Sequence, residues 1–181
     1  SLEEARAHWP NARWDDVIGA FYTAEDGRAN PVDVTMSLAK GFRQRGGRLI
    51  EGVCVTDVVQ TQGKVSAVVT DHGTVETQYV VNCAGMWARQ FGKLAGVSLP
   101  LQAAEHYYLI TEDMPAMTPK TPVLEDPDRY AYFREEVGGM MIGLFEPQAA
   151  PWNLERIPDD FSFGEIEPDW ERMIPFLESA Y

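Results

Sequence analysis

The hydrophobic pattern predicts one well-marked helix in the first quarter of the chain. Val34, Leu38 and Phe42 recur at helical spacing, so they share one face of a helix. Asn30 suits the N-cap, because its side-chain oxygen can accept from free backbone N–H groups, and Pro31 suits the first helical position. A Gly-Gly pair then ends the pattern, which predicts a helix that begins at Pro31.

Three strands of a β-meander are predicted after this helix. The candidates are residues 48–60, 64–70 and 74–82, and short glycine-containing turns separate them. Because such short turns join strands that run antiparallel, neighbouring strands should pair with each other.

Apolar runs stand before the helix and at the end of the meander. Residues 17–23 have the length and aromatic content of a strand. The third meander strand ends in residues 79–84, which are almost continuously apolar, as expected of a strand covered on both faces. That run leads through Gly85 into a short predicted helix, residues 86–95, which Gly96 closes.

The second half of the chain predicts a second sheet. Residues 102–111 form a strand candidate, and residues 130–135 and 140–145 form a hairpin around a Val-Gly-Gly turn. An acidic, proline-rich stretch follows, and residues 169–179 predict a last helix although Pro175 lies inside it. The antiparallel hairpin and its neighbouring strand should pack as one sheet.

Composition excludes several classes of function. The chain has 181 residues, 45% of them hydrophobic, which suits one domain or parts of two. The net charge of −13 would repel phosphate backbones, so we expect no nucleic-acid partner. We expect no membrane partner, because no apolar run of about 18 residues occurs. Cys54 and Cys83 are predicted to be buried thiols, and no metal site is expected.

The pyrophosphate-binding fingerprint of dinucleotide-binding folds is missing. No two glycines stand two positions apart, so G-x-G occurs nowhere in the chain. A complete nucleotide-binding unit is therefore not expected within these residues.

Several motifs resemble one family of flavoenzymes. Residues 26–31, 80–88 and 105–111 resemble, in order and spacing, the D-amino-acid-oxidase superfamily. Residues 125–135, 142–146 and 157–161 resemble its dimethylglycine and sarcosine dehydrogenase branch. The resemblance covers nearly the whole chain.

The resemblance implies a mixed α/β (α+β) fold made of parts of two domains. Residues 23–100 would supply the β-meander and a late parallel strand of a doubly wound FAD-binding domain. Residues 1–22 and 101–167 would belong to an antiparallel-sheet substrate domain, and residues 168–181 would start a C-terminal helix. By the family pattern the chain is an internal piece, and a tetrahydrofolate-binding module follows in many relatives.

The resemblance also implies FAD as cofactor and names the residues that contact it. A flavin lying along a strand end needs small residues beneath it, which Cys83, Ala84 and Gly85 provide; a tightly packed turn is the alternative. Trp87 would shield the flavin or belong to the core. The backbone of Val55 would meet the adenine.

Catalysis is assigned to two residues by the same motifs. The resemblance places His106 facing the flavin ring, where it would position the substrate amine and help to deprotonate it. Tyr132 would orient the substrate carboxylate or bond to His106, with Tyr130 as its competitor. Arg134 could pair with a carboxylate, although an ion pair with a neighbouring glutamate is the commoner arrangement.

The expected function is oxidative demethylation of an N-methylated glycine, a small-molecule N-methyl amino acid, by hydride transfer to FAD. We expect the isolated chain to be inactive. Two alternatives stay open: a non-catalytic scaffold, as in a phosphatase regulatory subunit that resembles these enzymes, and an oxidase of another secondary amine or amino acid. Oligomeric state, and the choice between bacterial cytosol and mitochondrial matrix, also stay open.

Overall fold

The computed structural model describes residues 1–152 and 155–178, which fall into two compact units. The first, which we call the sheet unit, contains Ser1–Arg28, Glu105–Ala149 and the chain from Glu165 onward. The second, the meander unit, contains Ala29–Ala104 and Ala150–Gly164. Each unit is described separately below.

The meander unit begins with the predicted helix, α2 (Pro31–Gln44), which follows α1 (Leu2–His8) in chain order. The side chain of Asn30 caps α2 by accepting from the backbone N–H groups of Val32 and Asp33, at 2.9 and 3.3 Å. These bonds satisfy two of the free N–H groups at the start of the helix. The local signals therefore place the start of α2 correctly.

The β-meander follows α2 and has the predicted antiparallel order. Its strands are β1 (Val55–Thr61), β2 (Lys64–Thr70) and β3 (Gly73–Glu76), in the sheet order β1-β2-β3. Val58 and Ala67 are its buried residues. After the meander, a 3₁₀ turn (Gly85–Trp87) leads into α3 (Ala88–Leu94), close to the predicted bounds.

The sheet unit is built around four antiparallel strands. These are β4 (Tyr108–Ile110), β5 (Leu124–Asp126), β6 (Ala131–Glu136) and β7 (Gly139–Leu144), in the order β4-β7-β6-β5. The tight turn between β6 and β7 has positive φ at Val137 and Gly138, as two-residue hairpin loops require. The predicted hairpin is confirmed, within one residue at each end of its strands.

One face of this sheet carries the core. Tyr107, Ile142, Leu144 and Met173 form a buried cluster, in which Leu144 is fully inaccessible to solvent. Met173 belongs to α4 (Trp170–Glu178), which packs against β7 despite Pro175 inside it. Alternation along the strands then leaves the other face of the sheet for Tyr108, Tyr132 and Arg134.

Two strand predictions are wrong for the described residues. Residues 17–23 and 79–84 form no strand, and Phe21, Tyr79 and Val81 are all more than 80% exposed. A strand exists only where another strand supplies hydrogen bonds, and neither segment pairs with another described segment. The predicted third meander strand likewise ends at Glu76, and the candidate at 102–111 is a strand only from Tyr108 to Ile110.

Other differences concern short elements and the thiols. The sequence pattern missed α1 and β5, which are seven and three residues long. Cys54 and Cys83 are free and exposed, so their predicted burial is wrong. The apolar residues near each cysteine in the sequence are also partly or fully exposed. The sequence pattern did not indicate this exposure. Position 179 of the predicted last helix lies outside the described residues.

The helices of the described residues do not meet the requirements of a bilayer-spanning helix. None of their helices has the length and apolar character needed to span a bilayer.

Candidate active site

The candidate catalytic residues lie on the side of the sheet turned away from α4. We call this side, which carries Tyr108, Ile110, Tyr132, Arg134 and Phe145, the open face. Tyr108 and Phe145 are 54% and 50% exposed there, whereas the opposite face is filled by the core. An exposed aromatic surface on a regular sheet gives side chains fixed positions and room for a small ligand.

A glycine shapes the centre of the open face. Gly143 on β7 lies opposite Tyr132 on β6 and opposite Tyr108 on β4. A Cβ added to Gly143 would overlap with the ring of Tyr132, so the phenol lies directly across the strand. The sequence analysis did not single out Gly143, although a glycine inside a strand often marks such a close approach.

Phe145 brings the two predicted catalytic side chains to one neighbourhood. Its ring centroid lies 5.2 Å from that of Tyr132 and 6.5 Å from that of His106. His106 and Tyr132 therefore flank the same phenylalanine. The sequence-based hypothesis of a bond between them is not met, because no hydrogen bond joins His106 to Tyr132 in the described part of the chain.

The bonding partner of His106 is instead a glutamate. Nδ1 of His106 lies 3.3 Å from Oε2 of Glu146, and the His106 side chain is 51% exposed while that of Glu146 is 3% exposed. The sequence analysis did not single out Glu146. Its signal was weak: an acidic residue just after a buried strand is usually a surface group.

The competing polar residues have other roles. Tyr130 has a positive φ of 54° just before β6, and its carbonyl accepts from the backbone N–H of Phe145 at 2.7 Å. Arg134 pairs with Glu136 at 2.7 Å, as neighbouring charges suggested. Arg134 stays on the open face, but it already has an anionic partner.

The first family-like motif anchors the hairpin turn. The guanidinium of Arg28 donates to Oε2 of Glu135 at 2.5 Å and also to the Glu135 carbonyl. The other carboxylate oxygen accepts from the N–H of Gly138 at 3.0 Å. The hydrogen bond from Arg28, followed by that from Gly138, holds the pKa of Glu135 below its usual value. This ion pair ties Arg28 to the turn that positions β6 and β7.

The predicted cofactor residues lie in the meander unit, on a turn with open space beside it. Cys83 and Gly85 are exposed and Ala84 is half-buried. Gly85 has a φ of 54°, and a Cβ added to it would meet no heavy atom within 4 Å among the described residues. Asn82 shapes the turn, because its side chain accepts from the N–H of Ala84 and donates to the Ala88 carbonyl.

The remaining predicted contacts also lie in the meander unit. Trp87 is half-buried, and its indole N–H donates to the carbonyl of Pro158 at 2.9 Å, which fixes its orientation. Val55 begins β1, where it is half-buried and pairs with Thr70. The roles of Val55 and Trp87 toward a cofactor stay predictions. In the part of the chain that the structure describes, no cluster of three or more ligating side chains could hold a metal ion.

Comparison with known families identifies the family of the chain. The family described as FAD dependent oxidoreductase, DAO, matches the chain over residues 1–181. The chain belongs to this family. The family predicted from the sequence motifs is therefore confirmed, and FAD is the cofactor that the DAO family implies.

Three enzymes from this family resemble the chain over nearly its whole length. A 4-methylaminobutanoate oxidase (formaldehyde-forming) from Paenarthrobacter nicotinovorans is 36% identical over 95% of the chain. The mitochondrial sarcosine dehydrogenase of Mus musculus is 34% identical over 99%, and the mitochondrial dimethylglycine dehydrogenase of Rattus norvegicus is 31% identical over 99%. The matches cover 21%, 20% and 22% of the respective relatives, so the chain spans about a fifth of their length.

One similar protein is named for a regulatory role. The mitochondrial pyruvate dehydrogenase phosphatase regulatory subunit of Mus musculus is 36% identical over 91% of the chain and is matched over 19% of its own length. Similarity to DAO-family enzymes therefore extends to a protein not named as an oxidoreductase.

A solved structure shares the fold of the chain. The L-proline dehydrogenase from P. horikoshii superposes with a TM-score of 0.77 over 98% of the chain and 45% of its own, at 22% identity. The predicted mixed α/β class with antiparallel sheets is thereby confirmed.

Proposed function

We propose that the complete protein oxidises the N-methyl group of an N-methylated glycine, dimethylglycine or sarcosine, with FAD as hydride acceptor. The observation that carries the proposal is the open face, where His106 and Tyr132 flank Phe145 on a rigid sheet. Relatives named for N-methyl amines, among them sarcosine dehydrogenase, support this substrate class.

The turn at residues 83–85 fits a flat, rigid cofactor. Gly85 leaves space where any other residue would place a Cβ, and Cys83 is exposed beside it. We assign Cys83, Ala84 and Gly85 to contact with the flavin, Trp87 to shielding it, and the backbone of Val55 to the adenine. Bound FAD supplies a two-electron acceptor for the substrate carbon. In this proposal residues 23–100 belong to the cofactor domain and the open face belongs to the substrate domain.

His106 prepares the amine for oxidation. An ammonium cannot release hydride from its methyl group, because the nitrogen lone pair must become the second bond of the iminium product. A histidine can take up a proton near neutral pH, so His106 accepts the ammonium proton. Water then adds to the iminium, which releases formaldehyde and the demethylated amine.

Tyr132 orients the substrate. Its phenol lies over Gly143 and packs beside Phe145, so its position is fixed by the sheet. A phenolic O–H donates well to a carboxylate, and Tyr132 therefore holds the carboxylate of the glycine portion. Such positioning acts mainly on substrate affinity and on alignment of the methyl group.

The proposal is tested by the visible spectrum of the complete protein under anaerobic conditions. Addition of dimethylglycine or sarcosine should bleach the flavin, and one molecule of formaldehyde should appear for each flavin that is reduced. His106→Asn should slow bleaching about 100-fold or more, the usual contribution of a general base. His72→Asn is the matched control, because His72 is an exposed histidine paired with Asp71 at the β2–β3 turn, and it should leave the rate unchanged.

The similarity to the phosphatase regulatory subunit favours a second candidate function, a non-catalytic scaffold. A purified protein that carries no flavin, or whose flavin is bleached by no secondary amine or amino acid tested, would support the scaffold and contradict the oxidoreductase. Bleaching by another secondary amine or amino acid alone would instead keep the reaction type and change the substrate, as the methylaminobutanoate oxidase similarity allows.

A further inference from the structure

Glu146 occupies an unusual place in the sheet unit. It lies two residues past the end of β7, and its side chain is only 3% exposed. Oε2 lies 3.3 Å from Nδ1 of His106, whereas Oε1 is buried without a hydrogen-bond partner among the described residues. Burying a carboxyl group with an unsatisfied oxygen costs free energy, so this placement is poorly explained by folding alone.

We propose that Glu146 is a positioning residue for His106. As a carboxylate it can only accept a hydrogen bond, so it selects the tautomer of His106 that carries its proton on Nδ1. The other ring nitrogen, Nε2, then keeps a free lone pair on a side chain that is half-exposed. This inference rests on the proposed function, because it prepares Nε2 to accept the substrate proton.

The surroundings of the pair support this role. Phe145, between Leu144 and Glu146 in the chain, places its ring centroid 6.5 Å from that of His106. The acid next to His106 in the chain, Glu105, already has a partner, because it accepts from the hydroxyl of Tyr107 at 2.6 Å. Glu146 is thus the carboxylate that contacts His106 in the described part of the chain.

The first test needs neither substrate nor turnover. Diethyl pyrocarbonate acylates an unprotonated imidazole nitrogen, and peptide mass spectrometry measures the rate at each histidine of the complete protein. Glu146→Leu should slow acylation of His106 about threefold or more, because the free lone pair no longer stays on the accessible nitrogen. Glu146→Gln should slow it less, since the amide oxygen can still accept from Nδ1–H.

Two controls accompany this labelling. His72, whose Nδ1 lies 2.8 Å from Asp71, is an internal reference that should react equally in all variants. Glu105→Gln removes a neighbouring charge that does not contact His106, and it should leave the His106 rate unchanged. A wild-type or faster rate at His106 in the folded Glu146→Leu variant would overturn the proposal, because simple loosening would expose the ring further.

The second test asks whether Glu146 acts through His106. Glu146→Leu should lower the rate constant of flavin reduction about 10-fold at saturating amine, with little change in amine affinity. In a His106→Asn background the same substitution should have no further effect, since residues that act as a unit are not additive. Additive losses would contradict the positioning role. A wild-type protein that shows no bleaching would refute the proposed function, while the labelling result would still decide the role of Glu146.

Discussion

His106 and Tyr107 are neighbours in sequence, but their side chains lie in opposite surroundings. His106 is half-exposed beside Phe145, whereas Tyr107 is 7% exposed within the core. The Tyr107 hydroxyl donates to Glu105 at 2.6 Å, and this bond, together with burial, raises the pKa of Tyr107 to about 12. Two consecutive residues just before β4 thus place one side chain beside the open face and the other, with its hydrogen bond, in the core.

Tyr107→Phe should destabilise the sheet unit by about 1.5–3 kcal/mol near neutral pH, the usual contribution of a hydrogen bond to a charged group. The pKa of the phenol is higher in the folded chain than its ordinary value of 10. Its stabilisation is therefore complete below about pH 10 and is lost as the pH rises through about 12. Urea unfolding of the wild type and Tyr107→Phe measures the difference in their free energies of unfolding. This difference should be smaller at pH 11 than at pH 7.

Tyr108→Phe is the matched control for this measurement. Tyr108 lies next in the chain but is 54% exposed on the open face, so its hydroxyl should contribute little to stability. An equal loss in both variants, or a difference that grows at high pH, would contradict the role given to the Tyr107–Glu105 bond.

Elements whose signals are local were predicted well from the sequence. The N-cap of α2, its Pro31 and the apolar repeat all act within one turn or two, and α2 runs from Pro31 to Gln44 as expected. The strands predicted at residues 17–23 and 79–84 were wrong. An apolar run shows that a segment can form a strand, but it does not show that a second strand is present to pair with it.

The residues of the candidate site also differ in whether the sequence alone could assign them a role. His106 and Tyr132 were named because their motifs are contiguous in the sequence. Gly143 and Glu146 belong to the motif at residues 142–146 but were given no role, because the burial of Glu146 and the ring above Gly143 follow from how β6 and β7 pack and pair. A contact across strands depends on register, which a single sequence specifies only weakly.

Asn30→Ala should loosen the first turn of α2. It removes the two hydrogen bonds to Val32 and Asp33, a loss of about 1 kcal/mol for an N-cap. Hydrogen exchange measured by mass spectrometry should therefore speed up about fivefold in the first turns of the helix. Asn30→Asp keeps an accepting oxygen and should exchange like the wild type; faster exchange in this variant would show that the cap is not the cause.

At the scale of the whole molecule, apolar side chains remain uncovered among the described residues. Val34, Leu38 and Phe42 of α2 are 45%, 70% and 50% exposed, although their spacing is that of a buried helix face. Contiguous exposed apolar surface of this kind usually marks a contact with other protein. The net charge of −13 opposes nonspecific association of the chain with itself.

The isolated 181-residue chain should consequently bind a hydrophobic fluorescent dye. Leu38→Glu should reduce the fluorescence gain, because it places a charge at the centre of the α2 face. Lys40→Gln changes the net charge by the same amount without removing apolar area, and it should leave the dye signal unchanged. Equal signals from the wild type and Leu38→Glu would show that this face does not bind the dye.

Because Gly143 lies beneath the ring of Tyr132, substitutions at these two positions depend on each other. Gly143 lies in extended strand, where the backbone itself would accept an alanine or valine; the obstacle is the phenol above it. Redesign of this face for a bulkier or smaller ligand therefore requires both sites to be varied in one library. If single positions were mutated one at a time, substitutions at Gly143 would clash with the ring of Tyr132 and be discarded. They become possible only when Tyr132 is replaced by a smaller residue in the same variant.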